Sequence, residues 1–238
     1  MGGDLDSITI AEARSALAWW LEAGVDLAVQ EDARDWLKPA GKPDARAQEP
    51  AASPNLVQPA KETLAELQNF LASSAALPLA SASARRVLPH GPEAAAVMLI
   101  SDAPSLEDFA ALQPIGGDAW ELTKNMLAAI GLSPEQAYSA SLSCFNAPGA
   151  RMSDKDRQEC ADLAREHIRL AKPQRLLLFG DGPCAALLGK RLTEARGHVH
   201  KVEGVRTVVT FHPRHLIKRP LDKALAWRDL LLLMEDEV

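Results

Sequence analysis

Four short apolar runs, each followed by a helical stretch, constrain this chain more than any other feature. They occupy residues 95–100 (AAVMLI), 138–143 (YSASLS), 175–179 (RLLLF) and 207–211 (TVVTF). Runs of this length bounded by turn residues read as buried strands. The stretches between them carry helical signals. Residues 117–130 end at Gly131. Residues 153–170 open on Ser153 as a cap, place Asp154 and Asp156 in the first turn, and stop at Lys172-Pro173. Residues 183–192 and 221–235 read as two further helices. Strands alternating with helices imply a mainly parallel sheet covered on both faces. The expected fold is α/β and three-layered, with a four-stranded mainly parallel sheet flanked by helices.

The 238 residues allow this domain, placed at 60–238, and an appendage. Residues 1–38 read as a helical hairpin. Ile10, Ala13, Leu17 and Trp20 recur at helical spacing, Gly24 interrupts them, and residues 25–37 resume the pattern. Trp19, Trp20 and Leu21 give the hairpin an apolar surface that docks on the main domain or, alternatively, meets a protein partner. Residues 39–59 read as a flexible linker, with Pro43, Pro50, Pro54 and Pro59 among Ala, Lys and Asp. Residues 60–74 form an amphipathic helix with Leu64, Leu67 and Leu71 on one stripe, and residues 76–92 are irregular. No apolar run approaches the ~20 residues that cross a bilayer. The opening MGGDLDS is acidic and polar, so no signal peptide is expected, and Cys144, Cys160 and Cys184 make no disulfide framework. The expected setting is a reducing cytoplasm.

In a parallel sheet the strand ends converge on one rim, where ligands bind. Here they bring Asp102 after the first strand, Ser141 in the second, the Gly180-Asp181-Gly182 turn after the third, and His212 and Arg214 after the fourth. A glycine turn opening a helix offers backbone N–H groups to a phosphate, although Asp181 opposes an anion. Between Arg196 and Lys223 seven Lys/Arg face two acids, with four histidines besides. In a chain of net charge −6 this patch suggests an anionic partner.

The ordered series SDAPSLED, PIGG, NMLAAIGL, SCFNAPGAR, Cys160, LLLFGDGPCAALLG and TFHPRHL resembles the uracil-DNA glycosylase superfamily, and within it the iron–sulfur-containing bacterial and archaeal branch. The family motif Gly-Glu-Ala-Pro-Gly stands here as Ser101-Asp102-Ala103-Pro104-Ser105, keeping the acid and replacing two glycines. Pro-Phe-Val-Gly, whose ring stacks on the flipped uracil, stands as Pro114-Ile115-Gly116-Gly117. Ile115 offers only apolar contact, and Phe145 is a candidate replacement ring. The Asn that reads the uracil edge falls at Ser141, which lacks the two-pronged amide. His-Pro-Ser stands as His212-Pro213-Arg214. Of the four cluster cysteines, Cys144 and Cys160 match the last two. The first two should lie near 74–77 and are missing, so no iron–sulfur cluster and no other metal is expected.

The resemblance implies hydrolysis of the N-glycosidic bond of uracil or another damaged base in single- or double-stranded DNA, with Asp102 and His212 catalytic. Ala103, Pro104, Ile115 and Ser141 would line the base pocket. Ser105, Arg214, Lys218, Arg219 and the backbone at Gly180 and Gly182 would meet DNA phosphates. Two alternatives accompany this reading: a catalytically weakened or inactive DNA-binding paralogue, and a phosphate- or nucleotide-binding α/β protein.

Overall fold

The computed structural model describes Ser15 and residues 61–80, 84–145 and 153–235. The chain divides into two units, Met1–Gln58 and Pro59–Val238. The expected hairpin and linker lie, Ser15 apart, outside the described residues. The second unit is described below.

Its sheet has the order β2-β1-β3-β5-β4, with β1 Val97–Ser101, β2 Ala137–Ser141, β3 Arg175–Phe179, β4 Val199–Val202 and β5 Val205–Thr210. β2, β1, β3 and β5 run parallel and correspond to the four expected strands. β2 ends earlier than its apolar pattern suggests. Beyond Ser141 the chain turns, and the Ser143 hydroxyl accepts a hydrogen bond from the Phe145 N–H at 3.2 Å. The fifth strand corrects the expected count of four. β4 pairs antiparallel with β5 across Glu203-Gly204, whose φ values of +49° and +79° match the twist of a tight hairpin. Only Val202 in β4 is buried. An edge strand of this kind lacks the apolar run that marks a central one, and the charge of Lys201 protects the edge from further pairing.

The helices are α1 Leu64–Ser73, α2 Leu106–Ala111, α3 Gly117–Ala129, α4 Asp154–Ala171, α5 Asp181–Leu188, α6 Leu192–Ala195, α7 Pro213–Lys218 and α8 Lys223–Met234. Ser153 caps α4 as its sequence suggests, in a reciprocal box with Asp156. The stretch expected as one helix at 183–192 is two, because Gly189 closes α5 in the left-handed conformation. Successive strand residues face opposite sides of the sheet. Met98, Ile100, Leu176 and Leu178 meet Cys160, Ala164 and Ile168 of α4 and Leu187 of α5 on one side. Val97, Leu99, Leu177 and Phe179 meet Leu127 of α3, Leu216 of α7 and Leu230 of α8 on the other. The result is the expected three layers. A buried polar clamp fixes α8 to the end of β5: Asp229 accepts hydrogen bonds from Thr210 Oγ1 at 2.7 Å and Arg196 Nε at 2.8 Å.

Candidate active site

The four parallel strands deliver Ser101, Ser141, Phe179 and Thr210 to one rim. Asp102 follows β1 and is exposed. Its Oδ1 accepts from the Ala103 N–H at 2.9 Å, which orients the carboxylate. That carboxylate lies on Gly182: a Cβ added there would come within 2.5 Å of Asp102 Cγ. On the same turn, a Cβ at Gly180 would sit 3.8 Å from His212 Cβ. Gly180 has φ +90°, a conformation that favours glycine. The Gly180–Gly182 turn thus carries Asp102 against one end and His212 against the other.

His212 caps α7, and its Nδ1 accepts from the Arg214 N–H at 3.1 Å. An imidazole that accepts at Nδ1 carries its proton on Nε2 when neutral. Pro213 occupies the first helical position, where its missing N–H costs nothing. The Phe179 ring meets the imidazole edge-on, with centroids 5.9 Å apart. Burial, followed by the neighbouring positive charge of Arg214, pushes the His212 pKa down to about 4, partly opposed by Asp108. At neutral pH the ring is therefore an uncharged Nε2–H donor.

Arg214 does not stand free at the rim. Its guanidinium is ion-paired with Asp108, and its Nε lies 3.8 Å from Glu107. Nε and Nη2 are buried without a hydrogen bond of regular geometry. Asp108 is itself only 1% exposed. It accepts from the Ser105 N–H at 2.7 Å and from the Gly116 N–H at 2.6 Å. Ser105 is correspondingly engaged, because its hydroxyl caps α2 by accepting from the Asp108 N–H. In the sequence Asp108 is one of the polar residues that follow the first strand and has no assigned role, although Ser105-x-x-Asp108 is a recognisable capping pattern. Lys218 and Arg219 are exposed at the end of α7.

The expected pocket residues separate into two groups. Ser101 and Ser141 pair across β1 and β2, with hydroxyls 3.3 Å apart, and Ser101 Oγ also donates to the Pro114 carbonyl at 3.1 Å. Ser141 and Ala103 are half-buried at the rim, while Pro104 is buried. Ile115 is buried in the apolar core with Leu99, Phe179 and Leu216. Its aliphatic side chain satisfies the core, so it presents no surface to a base. Phe145 is likewise unavailable: it is buried against Leu67, Leu71 and Leu77, and Arg86 lies over its ring.

Cys144 and Cys160 line a cavity of about 30 Å³ together with Leu71, Leu77 and His167, room for roughly one water. Burial pushes the thiols up to about 11 and about 12 respectively. Where two more thiolates would be needed, Leu77 packs into the apolar cluster around Phe145. The donor set and the space do not fit a four-thiolate iron–sulfur cluster. Among the described residues no group of three His, Cys, Asp or Glu is arranged to hold a metal, and no helix is long and apolar enough to cross a membrane.

The rim of this parallel α/β sheet carries a carboxylate and an uncharged imidazole at the two ends of one glycine turn. Residues 88–231 match the sequence profile of the Uracil DNA glycosylase superfamily, and the chain belongs to that superfamily. It is similar to the type-4 uracil-DNA glycosylase of Archaeoglobus fulgidus, with 23% identity over 55% of this chain and 71% of that protein. The type-4 enzyme of Pyrobaculum aerophilum is 22% identical over 57% of this chain and 75% of its own length. A DNA polymerase of Bacillus phage SP01 is 24% identical over 60% of this chain, a match that spans 16% of the polymerase.

Proposed function

We propose that this protein hydrolyses the N-glycosidic bond of a damaged base in DNA, as a repair glycosylase. The observation that supports the reading is that one glycine turn carries both residues, Asp102 against Gly182 and His212 beside Gly180, with a proton on His212 Nε2. Cleavage of the C1′–N bond leaves positive charge on the sugar and sends the electron pair away with the base. The exposed Asp102 carboxylate offsets the sugar charge and orients the attacking water. The Nε2–H of His212 donates to a carbonyl oxygen of the departing base, where negative charge grows. Such fixed donors are effective because they need no reorganisation as the charge develops. The base must first be extruded from the stack, at a cost of a few kcal/mol that is least for mispaired or single-stranded bases. Lys218 and Arg219, exposed at the end of α7, would meet the phosphates. Three free, buried cysteines suit work in the reducing cytoplasm.

One observation favours a second reading, a DNA-binding paralogue with weakened catalysis. Neither Ile115 nor Phe145 offers a ring, and stacking on an aromatic side chain is worth ~1–3 kcal/mol per base. The third reading, phosphate or nucleotide capture by the glycine turn, meets an obstacle: the Asp102 carboxylate already covers Gly182. A phosphate there would be repelled.

The test is to incubate the protein with single- and double-stranded oligonucleotides bearing uracil, hypoxanthine or xanthine and to assay abasic sites. Release that disappears in Asp102→Ala and His212→Ala supports the glycosylase. Salt-sensitive binding without release on every base supports the paralogue.

A further inference from the structure

The His212 loop is tied to the Asp102 loop by a charge that the sequence offers to DNA. Arg214 lies two residues past His212 and points its guanidinium at Asp108 and Glu107 of α2. Asp108 in turn holds the backbone of two further segments, Ser105 just after the Asp102 motif and Gly116 at the start of α3. Gly116 is packed so tightly here that a Cβ would lie 2.8 Å from the Glu107 carbonyl oxygen and from Ala111 Cβ. Three loops of the rim therefore converge on one buried carboxylate, and Arg214 is its charged partner from the His212 side.

We propose that Arg214 is a positioning residue, an internal strut that fixes the His212 ring over the Gly180–Gly182 turn, and not a contact to a DNA phosphate. The guanidinium is ion-paired with Asp108, lies 3.8 Å from Glu107 and is buried at Nε and Nη2, so this edge is turned away from a phosphate. Its backbone N–H meanwhile donates to His212 Nδ1 and sets the tautomer. Its positive charge disfavours a second positive charge on the imidazole. The other charged group acting on this ring is Asp108, which opposes Arg214, and the uncharged Phe179 ring meets the imidazole edge-on. Of the two charges, Arg214 outweighs Asp108 in its effect on the ring. The proposal deepens the glycosylase reading but is read out without it.

The experiment compares wild type, Arg214→Lys, Arg214→Gln and the double variant Arg214→Gln/Asp108→Asn. The double variant removes both charges, so no lone buried carboxylate threatens the fold. Two quantities are measured: the midpoint of the His212 imidazole by NMR titration, assigned with His212→Gln, and the salt dependence of binding to an abasic oligonucleotide. A strut predicts a midpoint that rises by about one pH unit in Arg214→Gln, rises by less in the double variant, which also loses the opposing Asp108 charge, and stays low in Arg214→Lys. It also predicts an unchanged slope of log affinity against log salt. A slope that falls by about 0.7–0.9, the signature of one lost phosphate contact, with the His212 midpoint unmoved, overturns the proposal. Absence of base release from every oligonucleotide would defeat the glycosylase reading alone, because neither readout needs turnover.

Discussion

Gly182 lies directly beneath the Asp102 carboxylate, so closely that a Cβ on residue 182 would fall 2.5 Å from Asp102 Oδ1. The glycine that a sequence reader assigns to a phosphate is there to admit an acid. Residue 182 belongs to the first turn of α5, where the positive end of the helix dipole favours a negative charge. Helix and carboxylate thus hold each other in place, and the third strand's turn becomes a platform for the first strand's acid.

This contact separates stability from function at one position. Alanine is the better helix former by about 0.8–1.0 kcal/mol, and the atoms it would strike belong to an exposed side chain that can swing away. Gly182→Ala is expected to unfold at the wild-type temperature or slightly above it. Base release should fall toward the level of Asp102→Ala, because the carboxylate is displaced. Thermal unfolding followed by circular dichroism, set beside the abasic-site assay, checks both halves. A variant that keeps full activity would show that Asp102 is not held where the chemistry needs it.

Two histidines, His167 buried and His212 half-buried, contribute to the response to acid. His167, hydrogen-bonded through Nε2 to the Tyr138 hydroxyl at 2.7 Å, is pushed down to about 4 by burial, as is His212. In the unfolded chain both titrate near 6.5. Between these values the unfolded state binds protons that the folded state refuses. Stability therefore falls as pH drops from 6.5 toward 4 and gains nothing from these rings above 6.5. Each ring supplies a slope of about 1.4 kcal/mol per pH unit across that window. Urea denaturation at half-unit pH intervals should show this limb in wild type and a shallower one in His167→Gln. An identical limb in the variant would mean that His167 is not the group refusing the proton.

Much of this architecture was legible. Residues 97–100 and 176–179 declare themselves as strand because they are buried on both faces and therefore apolar throughout, and Ser153 declares its helix because a cap has a chemical signature. The rest was hidden for definite reasons. β4 alternates exposed and half-buried residues around a Glu-Gly turn, so no apolar run announces it. α6 and α7 are too short to display a helical period. Arg214 reads as a surface cation because a sequence gives charges without partners, and Asp108 supplies the partner from more than a hundred residues away. Ile115 occupies the position of a stacking ring, but only the packing of Leu99, Phe179 and Leu216 reveals that it has joined the core.

Cys144 and Cys160 should behave as apolar core residues. Both are buried and both thiols are raised by that burial, so the nucleophilic thiolate is scarce at neutral pH. Native protein is expected to resist iodoacetamide at both positions and to react promptly in denaturant, as read by peptide mass. Cys160→Ala should cost roughly 1–2 kcal/mol, in keeping with a small lost core contact. Protein purified without oxygen should be colourless and free of iron. Stoichiometric iron with visible charge-transfer absorption would overturn this account of the site.

Base choice should be alterable at Ser141 but not at Ile115. Ser141 is half-buried at the rim, and its hydroxyl lies 3.3 Å from that of Ser101. An amide there acquires both a donor and an acceptor for a base edge, and a two-pronged contact of this kind discriminates by about 1–3 kcal/mol. Ser141→Asn, combined with Ser101→Gly to make room, is expected to raise uracil release about tenfold over release of hypoxanthine. Ile115→Phe is the opposite case. The position is 1% exposed, so the larger ring overfills the core at about 1–3 kcal/mol and adds no stacking surface. It should lower the unfolding temperature without improving release. Single-turnover assays on the two oligonucleotides, run alongside thermal melts, separate these outcomes. Improved uracil release by Ile115→Phe would place that side chain in the base pocket after all.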